Sequence, residues 1–350
     1  MLRDARRSGG FALYAWLVLA YNLLVILWGA VVRATGSGAG CGEHWPLCQG
    51  VVIPHGAEIA TLIEFAHRAS SGVAVVLVIG LVYFGFRSFA PGHAVRGYAL
   101  AALCFTLTEG LIGAGLVLFG WTGTNASFAR FAALAIHLAN TFMLLASLAL
   151  TARSAGWAGA PESDVADRRA EGSRVVLPNG VKPRHGLIYG LAMLATLALA
   201  ITGTIAALAD TLFPAHSLAG GLSQDFSAKS SYIIRLRIIH PLLAVIVGIL
   251  LLVLAAGALS APKSLAAKRM ALSIVVLVFL QSVLGGLNLV LLAPVAVQVL
   301  HLLVADLIWI ALILLASEIL GKRRERDARE AAAVNPPPSA TLVGTSVGSA

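Results

Sequence analysis

The sequence predicts an all-α membrane protein with eight transmembrane helices, arranged as two pseudo-symmetric four-helix bundles. Three observations predict this fold class: an apolar composition, a series of apolar segments long enough to span a bilayer, and an internal repeat. Of the 350 residues, 59% are hydrophobic and only 12% are charged, whereas a soluble domain carries about 25% charged residues. Most of the chain is therefore predicted to lie within lipid.

Eight apolar segments follow one another along the chain, and about 20 residues suffice to cross a hydrocarbon core of about 30 Å. The first segment follows a short basic N-terminus and lacks a small-residue cleavage site, so we interpret it as a retained span rather than a signal peptide. The predicted spans are 11–32, 64–86, 97–119, 130–152, 187–209, 233–258, 268–292 and 296–319.

The distribution of Lys and Arg predicts how the spans are oriented. The net charge is +9, and the basic residues cluster at the N-terminus, in every second loop and after the last span. By the positive-inside rule, both termini are cytoplasmic and the 33–62 loop faces outward. Because the clusters are short and form no basic–aromatic surface, they do not predict nucleic-acid binding.

The second half of the chain repeats the first. EFAHRASSGVAVVLVIG aligns with RIIHPLLAVIVGILLLV, TEGLIGAGLVLF with LQSVLGGLNLVLL, and IHLANTFMLLASLAL with LHLLVADLIWIALILLASEI. The repeat predicts an N-terminal bundle over 1–152 and a C-terminal bundle over 187–321. A polar cytoplasmic linker over 153–186 joins them, and a cytoplasmic tail over 322–350 is predicted to be disordered beyond a short charged helix.

Four histidines occupy matching positions in this repeat. His67 matches His240 on the second helix of each half, and His137 matches His301 on the fourth. Two imidazoles at similar depth on non-adjacent helices fit the ligation of a haem iron from both faces. Zinc, the main alternative, requires three or four ligands, whereas each half offers two matched histidines. The sequence therefore predicts one haem site in each half.

The two predicted sites differ in charge. Glu64 lies three residues before His67 on the same helix face, and Arg68 follows directly. The matching positions in the second half are Arg237 and Pro241. The carboxylate predicts a reactive first site, with a salt bridge at the outer helix end as its alternative role. The cation predicts a resident electron carrier in the second half.

Further charged residues lie near the predicted sites. Glu109, in the third span, is another acidic candidate, although its repeat partner Gln281 favours a packing or hydrogen-bonding role. Four arginines near the outer helix ends are candidate partners for haem propionates, and snorkelling to the interface explains each of them equally well. These arginines are Arg68, Arg130, Arg235 and Arg237.

Two of the three cysteines lie in the glycine-rich outer loop GSGAGCGEHWPLCQG. Cys41 and Cys48 could form a disulfide, bind a metal together with His44, or remain free thiols. The outward-facing location favours the disulfide. Cys104, in the middle of the third span, is interpreted as a small core residue.

The run GAVVRATGSGAGCGEHWPLCQG, the stretch LIEFAHRASSG and the four paired histidines together resemble the haem A synthases, in their bacterial form with a cysteine-pair loop. The resemblance implies an oxidoreductase that converts the C8 methyl group of haem O to a formyl group by successive hydroxylations. It implies these roles: substrate haem O ligands His67 and His137, catalytic acid Glu64, haem b iron ligands His240 and His301, and a disulfide between Cys41 and Cys48.

The resemblance also implies a bacterial plasma membrane location, surrounding membrane lipid, and partners in haem O synthase and cytochrome oxidase assembly. Homo-oligomerisation stays open. Two other functions stay open as well. A dihaem b-type membrane electron carrier would leave Glu64 and the cysteine loop without a role. A haem transporter would need a polar path to the cytoplasm, where the spans offer little beyond Glu109 and Asp306.

Overall fold

The computed structural model describes residues 2–55, 58–157, 183–260 and 264–334. These residues form ten α-helices and one short 3-10 helix, Ser37–Ala39. The helices are α1 Leu2–Ala34, α2 Ile59–Ser88, α3 Ala94–Leu118, α4 Phe128–Trp157, α5 Pro183–Leu212, α6 Leu218–Phe226, α7 Tyr232–Leu236, α8 Ile239–Ser260, α9 Leu265–Val290 and α10 Val295–Val334.

Eight helical segments are long and apolar enough to cross a membrane, and each coincides with a predicted span. The chain is therefore a multi-pass membrane protein, and the predicted fold class is confirmed. The pseudo-symmetric relation between its halves stays a prediction.

Two features of the second half differ from the predicted spans. The sixth span is broken into α7 and α8, and Pro241 lies in the first turn of α8, where its missing N–H costs no hydrogen bond. The second half also contains α6, a nine-residue helix that was not predicted from the sequence and whose N-cap Ser217 accepts a hydrogen bond from Gly220 N. Helix α6 is too short and too polar to produce the signal of a span.

The boundaries of the linker and the tail also shift. Helix α4 continues to Trp157 and α5 begins at Pro183, so both ends of the predicted 153–186 linker are helical. Helix α10 continues through Val334, in agreement with the charged helix predicted there. The rest of the linker, 158–182, and of the tail, 335–350, lies outside the described residues.

The helices pair in the same way in both halves. In the first half, α2 and α4 lie diagonally opposite, because each packs against α1 and α3. In the second half, α8 and α10 lie diagonally opposite, because each packs against α5 and α9. The two histidine-bearing helices of each half therefore face one another across a four-helix bundle.

The two bundles meet along α4, α10, α1 and α5. At the centre of this interface, Trp309 Nε1 donates to Phe142 O over 2.7 Å, and the two rings are 4.8 Å apart. Near the C-terminal end of α1, Arg33 donates to Ala207 O on α5 and to Gln298 Oε1 on α10. These contacts join the two bundles into one helical unit.

Cys104 does not lie in the core. Its side chain is exposed on α3, on the face away from the buried Ala99, Ala102 and Thr106. The interpretation of Cys104 as a core residue is therefore wrong. A thiol is apolar enough to face lipid, and composition alone does not separate this position from the core.

Candidate functional site

In each half, a glycine on the first membrane-spanning helix lies against the histidine ring on the second membrane-spanning helix. A Cβ atom on Gly29 of α1 would be 2.9 Å from His67 Cε1, and one on Gly203 of α5 would be 2.9 Å from His240 Cε1. Protein Cβ atoms do not approach a ring carbon this closely, so each imidazole rests on helix backbone. Neither glycine was identified from the sequence, where the only indication of its role is that a glycine lies within an apolar helix.

The second half holds its two histidines in an arrangement that fits one metal ion. His240 Nδ1 is 3.2 Å from Leu199 O and 3.2 Å from Thr202 Oγ1. Because Nδ1–H can donate to the carbonyl, Nε2 is left to bind a metal, as is usual for metal-ligating histidine. The ring of His301 lies opposite, with its centroid 6.3 Å from that of His240.

This separation matches two histidines on one iron atom. Two metal–imidazole bonds of about 2 Å each, with the short distance from each nitrogen to its ring centre, span about 6 Å. Among the described residues, no three His, Cys, Asp or Glu side chains come together to hold a metal ion. A prosthetic group that needs only two protein ligands, as haem does, fits this donor set.

The first half surrounds its histidines differently. His67 Nδ1 and His137 Nδ1 are buried without a hydrogen-bond partner. Glu109 Oε1 is 3.6 Å from His137 Nδ1, and the same carboxylate accepts hydrogen bonds from Thr141 Oγ1 and Asn140 Nδ2. Glu109 therefore has the hydrogen-bonding role that was predicted for it, and it lies beside a histidine of the site.

Cys41 and Cys48 form a disulfide in the loop between α1 and α2, and both are buried. The pairing excludes the alternatives of two free thiols and of a metal site with His44. Gln49 N donates to Cys41 O over 3.0 Å, and Thr61 Oγ1 of α2 donates to Gly40 O over 2.8 Å. The disulfide loop is thus fastened to the first turns of α2.

Glu64 and Arg68 complete this attachment. Glu64 is only 3% exposed, and its Oε2 accepts a hydrogen bond from Cys41 N over 2.8 Å. Arg68 donates to Glu64 Oε1 over 2.5 Å and to the carbonyl oxygens of His44 and Leu47 over 2.6 and 2.7 Å. The salt bridge considered for Glu64 therefore exists, and it ties the loop to the helix that carries His67.

Three of the four arginines considered as propionate partners bind groups of the protein, and these are Arg68, Arg130 and Arg237. Arg68 binds Glu64 and the loop, as described above. Arg130 donates to the carbonyl oxygens of Gly123 and Asn125. Arg235 is exposed. The propionate role stays a prediction for all four.

Arg237 forms ion pairs with Asp210 of α5 and Asp225 of α6, at 2.7 Å each. Neither aspartate was identified from the sequence. Asp225 lies on the helix that the sequence analysis missed, so its proximity to Arg237 could not be predicted.

Comparison with known proteins gives the following matches. A family model described as "Cytochrome oxidase assembly protein" (COX15-CtaA) matches residues 12–313. A protein named Protoheme IX farnesyltransferase from Thermus thermophilus is 45% identical over 316 residues, which are 89% of this chain and 49% of that protein.

Two proteins named Heme A synthase also match part of this chain. The one from Alkalihalophilus pseudofirmus is 38% identical over 37% of this chain and 40% of its own length. The one from Halalkalibacterium halodurans is 40% identical over 36% of this chain and 42% of its own length. The chain thus spans about half the length, or less, of these relatives.

Arg68→Gln is expected to loosen the disulfide loop, because it leaves the buried Glu64 carboxylate without its cation and removes the donors to two loop carbonyls. Breaking a buried ion pair costs about 3 kcal/mol. We expect a lower thermal transition in detergent and faster reduction of the Cys41–Cys48 disulfide. The control is Arg87→Gln, an exposed position at the other end of α2. Equal reduction rates in both variants would contradict the attachment.

Proposed function

Because the chain belongs to the COX15-CtaA family of cytochrome oxidase assembly proteins, we propose that it is a haem A synthase, which oxidises the C8 methyl group of haem O to a formyl group. The structural observation that carries the proposal is an asymmetry between two similar halves. Both halves carry a pair of histidines on diagonal helices, but the aligned positions beside them differ in charge, with Glu64 and Glu109 in the first half and Arg237 and Gln281 in the second. Glu64 lies one turn before His67, and Glu109 lies beside His137.

The two halves take different roles in this proposal. His67 and His137 of the N-terminal bundle hold the substrate haem O. His240 and His301 of the C-terminal bundle hold haem b, and the separation of their rings supports this role. When bound, haem b supplies a one-electron redox centre. This division follows the predicted boundaries 1–152 and 187–321.

Glu64 is the proposed acid of the reaction. Each of two successive hydroxylations of the methyl group breaks a C–H bond and removes two electrons, which an external oxidant must accept, and loss of water from the resulting diol gives the aldehyde. A carboxylate near the substrate can accept a proton or stabilise positive charge that develops at the carbon. Cys41 N–H and Arg68 hold both oxygens of Glu64, so the disulfide loop orients the carboxylate. Because both oxygens already accept hydrogen bonds, this arrangement favours stabilisation of positive charge over acceptance of a proton.

We propose the plasma membrane of a bacterium as the location, with both termini in the cytoplasm, as the basic clusters predict. We also propose that a protohaem IX prenyltransferase supplies haem O in the same membrane. The Thermus relative is named for that prenyl transfer, and the match covers only 49% of its length. Partners in cytochrome oxidase assembly are proposed from the family alone.

His240→Ala combined with His301→Ala is expected to abolish the low-spin haem b spectrum of the purified protein, because both residues that would hold that iron are lost. The measurement is the reduced-minus-oxidised absorption spectrum together with haem extraction. His216→Ala, an exposed histidine of the outer loop, is the control and is expected to keep the spectrum. A normal spectrum in the double variant would show that these histidines are not the ligands.

Gly203→Ala is expected to reduce the haem b content, because the new methyl group would be 2.9 Å from His240 Cε1 and must displace that ring. The matched control is Gly190→Ala on the same helix, where a Cβ atom meets nothing within 4 Å. Haem b per polypeptide is measured by pyridine haemochrome. If both variants bind the same amount, the close approach of ring and backbone is not needed for haem binding.

Glu64→Gln is expected to preserve haem b and to stop haem A formation. The amide keeps the shape of the side chain but cannot accept a proton or stabilise positive charge in the same way. Chromatography of extracted haems should show haem O or its hydroxylated intermediate and little haem A. Near-normal haem A would leave Glu64 with only its structural role in the loop attachment.

A further inference from the structure

We propose that Glu109 is a positioning residue for His137, and that it keeps the iron held by the first half more strongly in the ferric state than the iron held by the second half. The inference rests on the proposed function, because it takes His137 and His301 as haem ligands. It deepens that function by explaining how two similar bundles hold their irons at different potentials.

The Glu109 carboxylate is fixed by donors from α4. Thr141 Oγ1 donates to Oε1, and Asn140 Nδ2 donates to Oε2. Asn140 is itself held by α3, because its Nδ2 donates to Phe105 O over 2.8 Å and its Oδ1 accepts from Thr108 Oγ1 over 2.6 Å. The carboxylate can therefore not turn away without breaking bonds between the two helices.

The fixed carboxylate lies beside the imidazole. Glu109 Oε1 is 3.6 Å from His137 Nδ1, and His137 Nδ1 is buried without a hydrogen-bond partner. Within the described ranges, neither Arg nor Lys forms an ion pair with Glu109. The carboxylate therefore lies beside the His137 ring without a basic side chain of the described residues in direct contact with it.

The residues at the matching positions of the second half cannot form this hydrogen-bond network. The carboxylate is replaced by a neutral amide, and both of its donors are replaced by apolar side chains. The aligned pairs are Glu109 with Gln281, Asn140 with Val304, and Thr141 with Ala305. The Gln281 amide nitrogen lies 3.2 Å from His301 Nε2, so the nitrogen of His301 that is left to bind iron is Nδ1, which is buried without a hydrogen-bond partner among the described residues. Because three positions differ together around two matched histidines, the network serves the first half alone.

A carboxylate beside the second nitrogen of a metal-ligating imidazole makes that imidazole a stronger electron donor and fixes its orientation. Negative charge near the iron also stabilises the ferric state over the ferrous state. Hydrogen bonding around an axial ligand is one of the means by which proteins set the potential of a haem. Glu109 and Gln281 thus set the two irons at different potentials within one fold.

The test is a reciprocal exchange in the full-length protein. The protein is purified with its resident haem, and one equivalent of ferric protohaem is added as a probe of the first site. Potentiometric titration followed by absorption then resolves two components. Glu109→Gln is expected to lower the ferric-to-ferrous ratio of the added haem about tenfold at a fixed ambient potential. Gln281→Glu is expected to raise the ratio of the resident haem by a similar factor.

Each variant is expected to change the ferric-to-ferrous ratio of one haem and to leave that of the other haem unchanged. A merely structural role would not produce this pattern. Glu58→Gln, an exposed position that loses the same charge, is the control and should change neither. Unchanged ratios in both exchange variants would overturn the inference while leaving the proposed function intact. If Glu109→Gln fails to fold, Gln281→Glu alone decides. A resident haem that survives His240→Ala with His301→Ala would instead contradict the proposed ligands.

Discussion

The packing of imidazole rings against bare helix backbone is the contact on which both bundles depend. A histidine buried among apolar helices needs space that a neighbouring side chain would otherwise fill, and Gly29 and Gly203 leave that space open. The ring also carries polar nitrogens, which are costly to bury in a membrane without a partner. For His240 the carbonyl of Leu199 offers one. These contacts fix how closely the first and second helices of each half approach.

The first half adds charged side chains around its histidines. Glu64 and Arg68 form a buried pair that fastens the disulfide loop to α2, so a covalent constraint in the outer loop reaches the turn that precedes His67. Glu109 adds a second carboxylate near His137. In the second half, the cation Arg237 instead binds two aspartates. One scaffold thus carries two pairs of histidines with different charged surroundings.

Much of this architecture could be predicted because it depends on local composition and on the repeat. The eight spans follow from length and hydropathy, and the alignment of the two halves matched His67 with His240 and His137 with His301. The predicted outward location of the loop favoured the disulfide over the two alternatives, and the structure pairs the two cysteines. Helix spacing placed Glu64 near His67, but it could not show that the carboxylate binds Cys41 N and Arg68.

The features that were missed depend on contacts between residues far apart in the chain. Gly29 and Gly203 are ordinary residues of apolar helices until the partner helix is in place. The ion pair between Arg237 and Asp225 requires α6, whose nine residues give too short a pattern to detect. Cys104 was assigned to the core because composition does not distinguish a lipid-facing position from a buried one when both are apolar.

The central claim is that this chain converts haem O to haem A, and extraction of haems from membranes tests it most directly. The chain is expressed in a host that makes haem O but no haem A, and the extracted haems are separated by chromatography. The account predicts a haem A peak that disappears when His67 and His137 are both replaced by Ala. A protein that inserts and binds haem b, yet leaves haem O as the final product, would contradict the account.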